Sequence, residues 1–179
     1  LTSRPAPRQG RAQEAFEIRQ GREEGNVAYW LFKSEPATWS WADQKAHHGP
    51  AEWDGVRNYQ ARNNMRAMKV GDLGFFYHSV KEKRILGIVR VAAEAHPDST
   101  TDDPRWECVD VEALCDLPRP VSLDEIKANP RLADMVLVRN SRLSVQPVTP
   151  EEWDEICRMA GFPEDRIPHA PWPAGKPCP

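Results

Sequence analysis

The large apolar side chains of this chain come in short runs of strand length, each closed by turn residues, and this pattern restricts the fold more than any other feature. The runs cover 27–32, 72–78, 85–91, 106–114 and 142–148. All fall far short of the roughly 20 apolar residues that a membrane-spanning helix needs, so no membrane partner is expected. The alternation of strand, helix and strand that builds a doubly wound sheet is not sustained. The pattern predicts instead an α+β fold, a small mixed β-barrel with helices at its periphery.

Within 72–78, strand alternation sets Phe76 and His78 on one face and Phe75 and Tyr77 on the other, so both faces are largely aromatic. Residues 58–70 read as a helix. Ala61, Met65 and Met68 form its apolar stripe, Arg62, Arg66 and Lys69 a neighbouring basic one, and Gly71 is its expected C-cap. Ser122 with Glu125, and Thr149 with Glu152 ahead of Trp153, Ile156, Cys157 and Ala160, are capping boxes that open two further helices. Lys33-Ser34-Glu35-Pro36 reads as a turn.

The ends differ from this middle. Residues 1–25 are rich in Arg, Gln, Glu and Gly and hold too little apolar surface to offset the entropy of ordering, so a flexible extension is expected. Pro163, Pro168, Pro171, Pro173, Pro177 and Pro179 forbid a regular helix or central strand in 163–179, which is expected to lie extended across the domain through Trp172. One folded domain over 26–162, monomeric, remains. The four cysteines show no C-x-x-C spacing and no apolar signal segment opens the chain, which points to a reducing, intracellular setting: cytoplasm in a bacterium, nucleus in a eukaryote.

The net charge of −3 conceals an asymmetry. Residues 52–90 carry eight Lys and Arg against four acids, and 91–126 carry two against ten. Either one face attracts phosphates while another repels them, or both segments are ordinary solvated surface.

Trp30, Trp39, Trp41, Trp53, Tyr59, Phe75, Phe76 and Tyr77 fall in the first half of the domain. Most aromatic side chains pack in cores. The segment 53–59 (WDGVRNY), however, mixes rings with hydrogen-bonding and flexible residues without a clean period, which suits a pocket wall. Rings offer faces on which a base stacks, and polar groups read its edge. Chemistry on a substrate finds less support. His78 and Ser79 are adjacent and point to opposite faces of a strand, His47-His48 lacks a third ligand at a recognisable spacing, and no Gly-rich phosphate loop leads from strand to helix. Neither metal nor cofactor is expected, nor is enzymatic activity. A protein-interaction module, and an enzyme acting on modified nucleic acid, remain the alternatives to a base-binding module.

Residues 29–36 (YWLFKSEP), 53–72 (WDGVRNYQARNNMRAMKVGD), 75–79 (FFYHS) and 142–148 (RLSVQPV) together resemble the EVE domain family of the PUA-like superfamily, over about 27–161 and in order. The resemblance implies a PUA-like barrel and a pocket akin to that of YTH readers, which hold a methylated base in an aromatic cage. It implies a reader of DNA or RNA containing a modified base, of the 5-methylcytosine type in DNA or a modified RNA base. Carried over motif by motif, it sets Trp30, Lys33, Ser34, Trp53, Val56, Arg57, Asn58, Tyr59, Phe76, His78, Arg142 and Ser144 nearest the ligand. Beside them, Arg62, Arg66 and Lys69 are the expected phosphate contacts.

Overall fold

A computed structural model describes residues 29–179; the expected extension over 1–25 lies outside the described residues. Strand β1 (Tyr29–Ser34) is followed by α1 (Trp41–Ala46), β2 (Ala51–Glu52), α2 (Tyr59–Ala67), β3 (Leu73–His78), β4 (Arg84–Pro97) and β5 (Glu107–Ser122). Then come α3 (Leu123–Ala128), α4 (Val136–Arg139), β6 (Val145–Val148) and α5 (Pro150–Met159). The strands form one mixed sheet in the order β2-β5-β4-β3-β1-β6, with β1 and β3 parallel and the other neighbours antiparallel. No helix among the described residues is long and apolar enough to cross a membrane.

Period-two alternation divides the aromatic strands between two cores. Trp30, Phe32 and Phe76 point inward with Val89, Val91, Val109, Val111 and Val145, and Ala61, Met65 and Met68 pack onto them. Tyr29, Leu31, Leu73, Phe75 and Tyr77 point the other way, under α5. There the Trp153 ring stacks on Phe75 at 4.0 Å and on Tyr29 at 4.5 Å. Strands buried on both faces need apolar residues at every position, which is why β1 and β3 read as runs. The β4–β5 pairing shifts register four times, and such bulges bend strands. The sheet curls far enough that one helix, α2, packs against β4, β5 and the opposite edge strand β6. Asn64 on α2 donates to the Val145 carbonyl at 2.8 Å. This is the expected α+β architecture of a curled mixed sheet with helices around it.

Several local expectations are corrected. Helix α2 ends at Ala67 with Met68 as C-cap, because Asp72 draws the chain into a turn by accepting the Lys69 backbone N–H at 3.0 Å. Lys69 is therefore outside the helix and does not continue its basic stripe. Gly71 is not the cap. Its φ of +94° and the Pro171 Cβ, 3.2 Å from where its own Cβ would be, show that it makes room for the C-terminal segment. Lys33 and Ser34 still belong to β1, and the turn begins after them. Strand β5 runs eight residues past the expected end at 114, through Pro118 and Pro120. Those prolines are tolerated because β2 pairs only with Asp110 and Val111, leaving that stretch of β5 as an edge. Both capping boxes form as expected, and Ser40 with Asp43 forms a third that opens α1.

The Pro-rich segment crosses the domain and buries Ile167, Ala170 and Trp172. The Trp172 N–H donates to the Gly71 carbonyl at 2.9 Å. Beyond it Cys178 is disulfide-bonded to Cys115 on β5, with Cα atoms 5.8 Å apart, a bond that the expected reducing setting did not suggest. The path of the tail, invisible in cysteine spacing, brings the two together.

Gly87 on β4 lies under the Trp41 ring, with the position of a Cβ only 2.1 Å from Cζ2. Trp41 is held there by its indole N–H on Asp116 Oδ1 at 2.7 Å and by Phe76 at 5.1 Å between ring centres. Gly87→Ala is therefore expected to displace α1 and to lower stability by about 1–3 kcal/mol, as overpacking does, measured by urea unfolding. An unchanged midpoint would show that Trp41 does not clamp α1 onto the sheet.

Candidate functional site

A cleft of about 790 Å³ opens where the end of β1 meets β2 and the segment that follows it, within the roughly 300–1,000 Å³ of small-molecule sites. Lys33, Ser34, Glu35, Thr38 and Trp39 line one side, His47 and residues 50–57 the other, and Ser144 closes it beside β6. Extended pairing fixes both walls. Lys33 N–H donates to the Ser144 carbonyl and Trp53 N–H to the Val109 carbonyl, each at 2.8 Å.

Two indole rings line the cleft. Trp53 is only 8% exposed and its ring meets Phe32 at 5.1 Å and Phe76 at 5.6 Å, both edge-on. Trp39, half-buried, is oriented by its N–H on Gln44 Oε1 at 2.9 Å, and Trp39 and Val56 rest on the inner core. The Ser34 hydroxyl donates to the Trp39 carbonyl. Lys33 Nζ donates to the Ser141 carbonyl at 2.6 Å, and burial lowers its pKa. Burial, reinforced by the charges of Asp98 and Glu52, raises that of Asp54.

The 53–57 segment is pinned from behind by Asp98, a residue that no motif or spacing singles out. Its carboxylate is 2% exposed and accepts from Gly55 N–H at 2.9 Å, Arg57 Nη1 at 3.0 Å, Thr100 N–H at 2.8 Å and the Thr100 hydroxyl at 2.5 Å. Burial alone would raise its pKa, but the bonds from Thr100, Arg57 and Gly55 outweigh burial and hold it far below the usual carboxylate range. Gly55 turns the chain here at a φ of +75°.

Of the residues expected nearest a ligand, Lys33, Ser34, Trp53, Val56, Arg57 and Ser144 line the cleft. Trp30 does not. It is 1% exposed in the inner core with its indole N–H on Asp72 Oδ2 at 3.0 Å, and Phe76 is buried beside it. His78 Nε2 accepts the Trp41 backbone N–H at 2.9 Å, so Nδ1 carries the proton that meets Glu82 at 2.7 Å. Asn58 caps α2 by accepting from Ala61 N–H at 2.9 Å. Arg142 is exposed outside the lining. Tyr59 is 50% exposed at the start of α2, where its ring lies 5.0 Å from that of Trp106. Trp39 was the ring missing from the expected set. Its place in a connection between strand and helix, without periodic apolar neighbours, was the available signal.

Part of the charge asymmetry cancels in space. Arg57 pairs with Asp98 at 3.0 Å, Arg66 with Glu107 at 2.5 Å and Arg90 with Glu112 at 3.0 Å, each joining the basic segment to the acidic one. Arg62 bonds Asn63 Oδ1 and the Arg105 carbonyl and lies 4.9 Å over the Tyr59 ring, with no carboxylate partner among the described residues.

The sequence matches the EVE domain over residues 28–159. It is 38% identical to thymocyte nuclear protein 1 of Gallus gallus, over 87% of this chain and 77% of that one. Among solved structures it is similar to a protein from Agrobacterium tumefaciens (58% identity, TM-score 0.77, covering 80% of this chain and 99% of that one). It is also similar to the human THYN1 protein in complex with 5-methylcytosine containing DNA (37% identity, TM-score 0.72, covering 76% and 99%).

Proposed function

Because the chain belongs to the EVE domain family, whose PUA-like α+β fold it has, we propose that its cleft holds a single modified base of a nucleic acid, of the 5-methylcytosine type in DNA. The observation that carries this is the meeting of two indole rings, Trp39 and Trp53, with serine hydroxyls and a pinned arginine in one cleft. Stacking on the half-exposed Trp39 ring is worth ~1–3 kcal/mol, set against the few kcal/mol needed to take a base out of a duplex, and Trp53, 8% exposed, backs the wall behind it. Lys33, Ser34, Arg57 and Ser144 supply groups for its polar edge, and Val56 an apolar surface for a methyl group. The relative solved with 5-methylcytosine containing DNA supports the choice of ligand. Trp30, Phe76, His78 and Asn58 act from behind, holding the walls. The reading is one of binding without turnover.

Fluorescence anisotropy with matched duplexes carrying cytosine or one 5-methylcytosine, and with the corresponding RNA, at stated salt, tests this. Burying one methyl group is worth about 0.8 kcal/mol, or roughly fourfold in affinity, so a modest preference for the methylated duplex is expected. Equal affinity for both duplexes, or selective binding of modified RNA, would overturn the assignment to DNA. Outside the cleft, Arg62, Arg66 and Lys69 are assigned to phosphates, with Arg62 foremost because no carboxylate competes for it. Arg62→Glu with Arg66→Glu should weaken binding to both duplexes equally and flatten the salt dependence. A loss confined to the methylated duplex would move these residues into the base site.

A further inference from the structure

Strand pairing assembles a second site that no spacing in the sequence announces. In the β4–β5 register His96 lies opposite Cys108, and in the β2–β5 register Glu52 lies opposite Asp110. A carboxylate oxygen of Glu52, an imidazole nitrogen of His96 and the Cys108 sulfur lie within 4.8 Å of one another. From this geometry we infer that Glu52, His96 and Cys108 bind a zinc-type divalent cation.

Three observations support the assignment. First, the donor set is thiolate, imidazole and carboxylate, the combination that a borderline-soft ion of tetrahedral preference takes, leaving a fourth position for water. Second, the outer atoms of two of the ligands are already held. His96 Nε2 lies 2.7 Å from Asp110 Oδ1, while Nδ1 lies 3.9 Å from Glu52 Oε1 and 3.1 Å from the Pro97 carbonyl, a contact that a bound ion replaces, and the Ser99 hydroxyl donates to the other Glu52 oxygen. Such outer hydrogen bonds orient metal ligands and fix the imidazole tautomer. Third, Cys108 is fully buried, free of disulfide and belongs to neither apolar core. Metal bonds of about 2.0–2.3 Å place tetrahedral ligands roughly 3.3–3.8 Å apart, so small side-chain rotations close the set. On binding, the thiol gives its proton to solvent, sulfur becomes a thiolate ligand, and the cation neutralises the surrounding acids. The ion would tie β2, which has only two paired residues, to β4 and β5. It would thereby brace the wall of the cleft that carries residues 50–57, to which Glu52 itself belongs, whatever ligand the cleft takes.

The test uses the full chain under non-reducing conditions, with zinc competed against a chromogenic chelator and cobalt(II) added as a spectroscopic probe. One equivalent of metal is expected, with thiolate-to-cobalt charge-transfer absorption that Cys108→Ser abolishes. Asp110→Asn should weaken zinc binding about 10- to 100-fold, as loss of an outer-sphere partner does, and His96→Gln at least as much. Absence of stoichiometric binding, or a charge-transfer band that survives Cys108→Ser, overturns the site. If Cys108→Ser does not fold, half-buried His96 decides, because unchanged zinc affinity in His96→Gln is equally fatal. Buried Cys157, in the outer core, is intact in every variant and reports adventitious thiol binding.

Discussion

Trp30→Ala is expected to lower stability by about 3–5 kcal/mol, the cost of removing a buried aromatic side chain. The same truncation at Trp39 should cost far less, because that ring is half-exposed and its loss opens little internal space. Binding should divide the other way. If Trp39 supplies a stacking surface, Trp39→Ala loses about 1–3 kcal/mol of base affinity, or roughly 5- to 150-fold. Folded Trp30→Phe should bind nearly as the parent does, since Trp30 reaches the cleft only through its neighbours. Urea unfolding and anisotropy on the same samples separate the two outcomes. A stable Trp30→Ala protein that no longer binds the methylated duplex would return Trp30 to the ligand site and displace Trp39 from it.

Asp98→Asn is expected to cost roughly 3 kcal/mol, because hydrogen bonds to a buried charged group are worth about 1.5–3 kcal/mol and donors left unsatisfied add a penalty. An amide accepts at one oxygen only, so either Thr100 or the Gly55 and Arg57 donors lose their partner. Since 53–57 then loses its anchor, affinity for the methylated duplex should fall about tenfold, equivalent to ~1.4 kcal/mol. The pH dependence follows from the depressed folded-state pKa. The contribution of Asp98 is fully present above its ordinary unfolded value of about 3.9 and is lost as pH falls from there toward the folded value. Between pH 5 and pH 2 the gap in stability between the parent and Asp98→Asn should therefore shrink. A gap constant with pH would show that the carboxylate is not the group holding the segment.

The strands, the two capping boxes and the apolar stripe of α2 were legible in the sequence because each depends on neighbours a few residues away. Alternation along β3 foretold that Phe75 and Phe76 enter different cores, since successive side chains of a strand point to opposite faces. The helix boundary at Ala67 was not legible, because it is set by a single side chain, Asp72, and by a tail 100 residues further on that packs on Gly71. The apparent segregation of charge was open to two readings for a related reason. Antiparallel pairing and helix packing lay the basic and acidic segments against each other, so Arg57, Arg66 and Arg90 find acids 22 to 41 residues away.

What the sequence determined by itself was the class of fold, the family and the motifs that supply most of the cleft's walls, since motif order and side-chain periodicity survive without coordinates. Only the tertiary structure decided which rings face the cleft and which fill the core. Trp30 and Trp53 sit in equally aromatic motifs and both are buried in the inner core, but Trp53 alone of the two also reaches the wall of the cleft. The tertiary structure alone made Asp98 an anchor, joined Cys115 to Cys178, and brought Glu52, His96 and Cys108 together. Each of these depends on the register between strands distant in the chain, or on the path of the tail, and neither is written in local spacing.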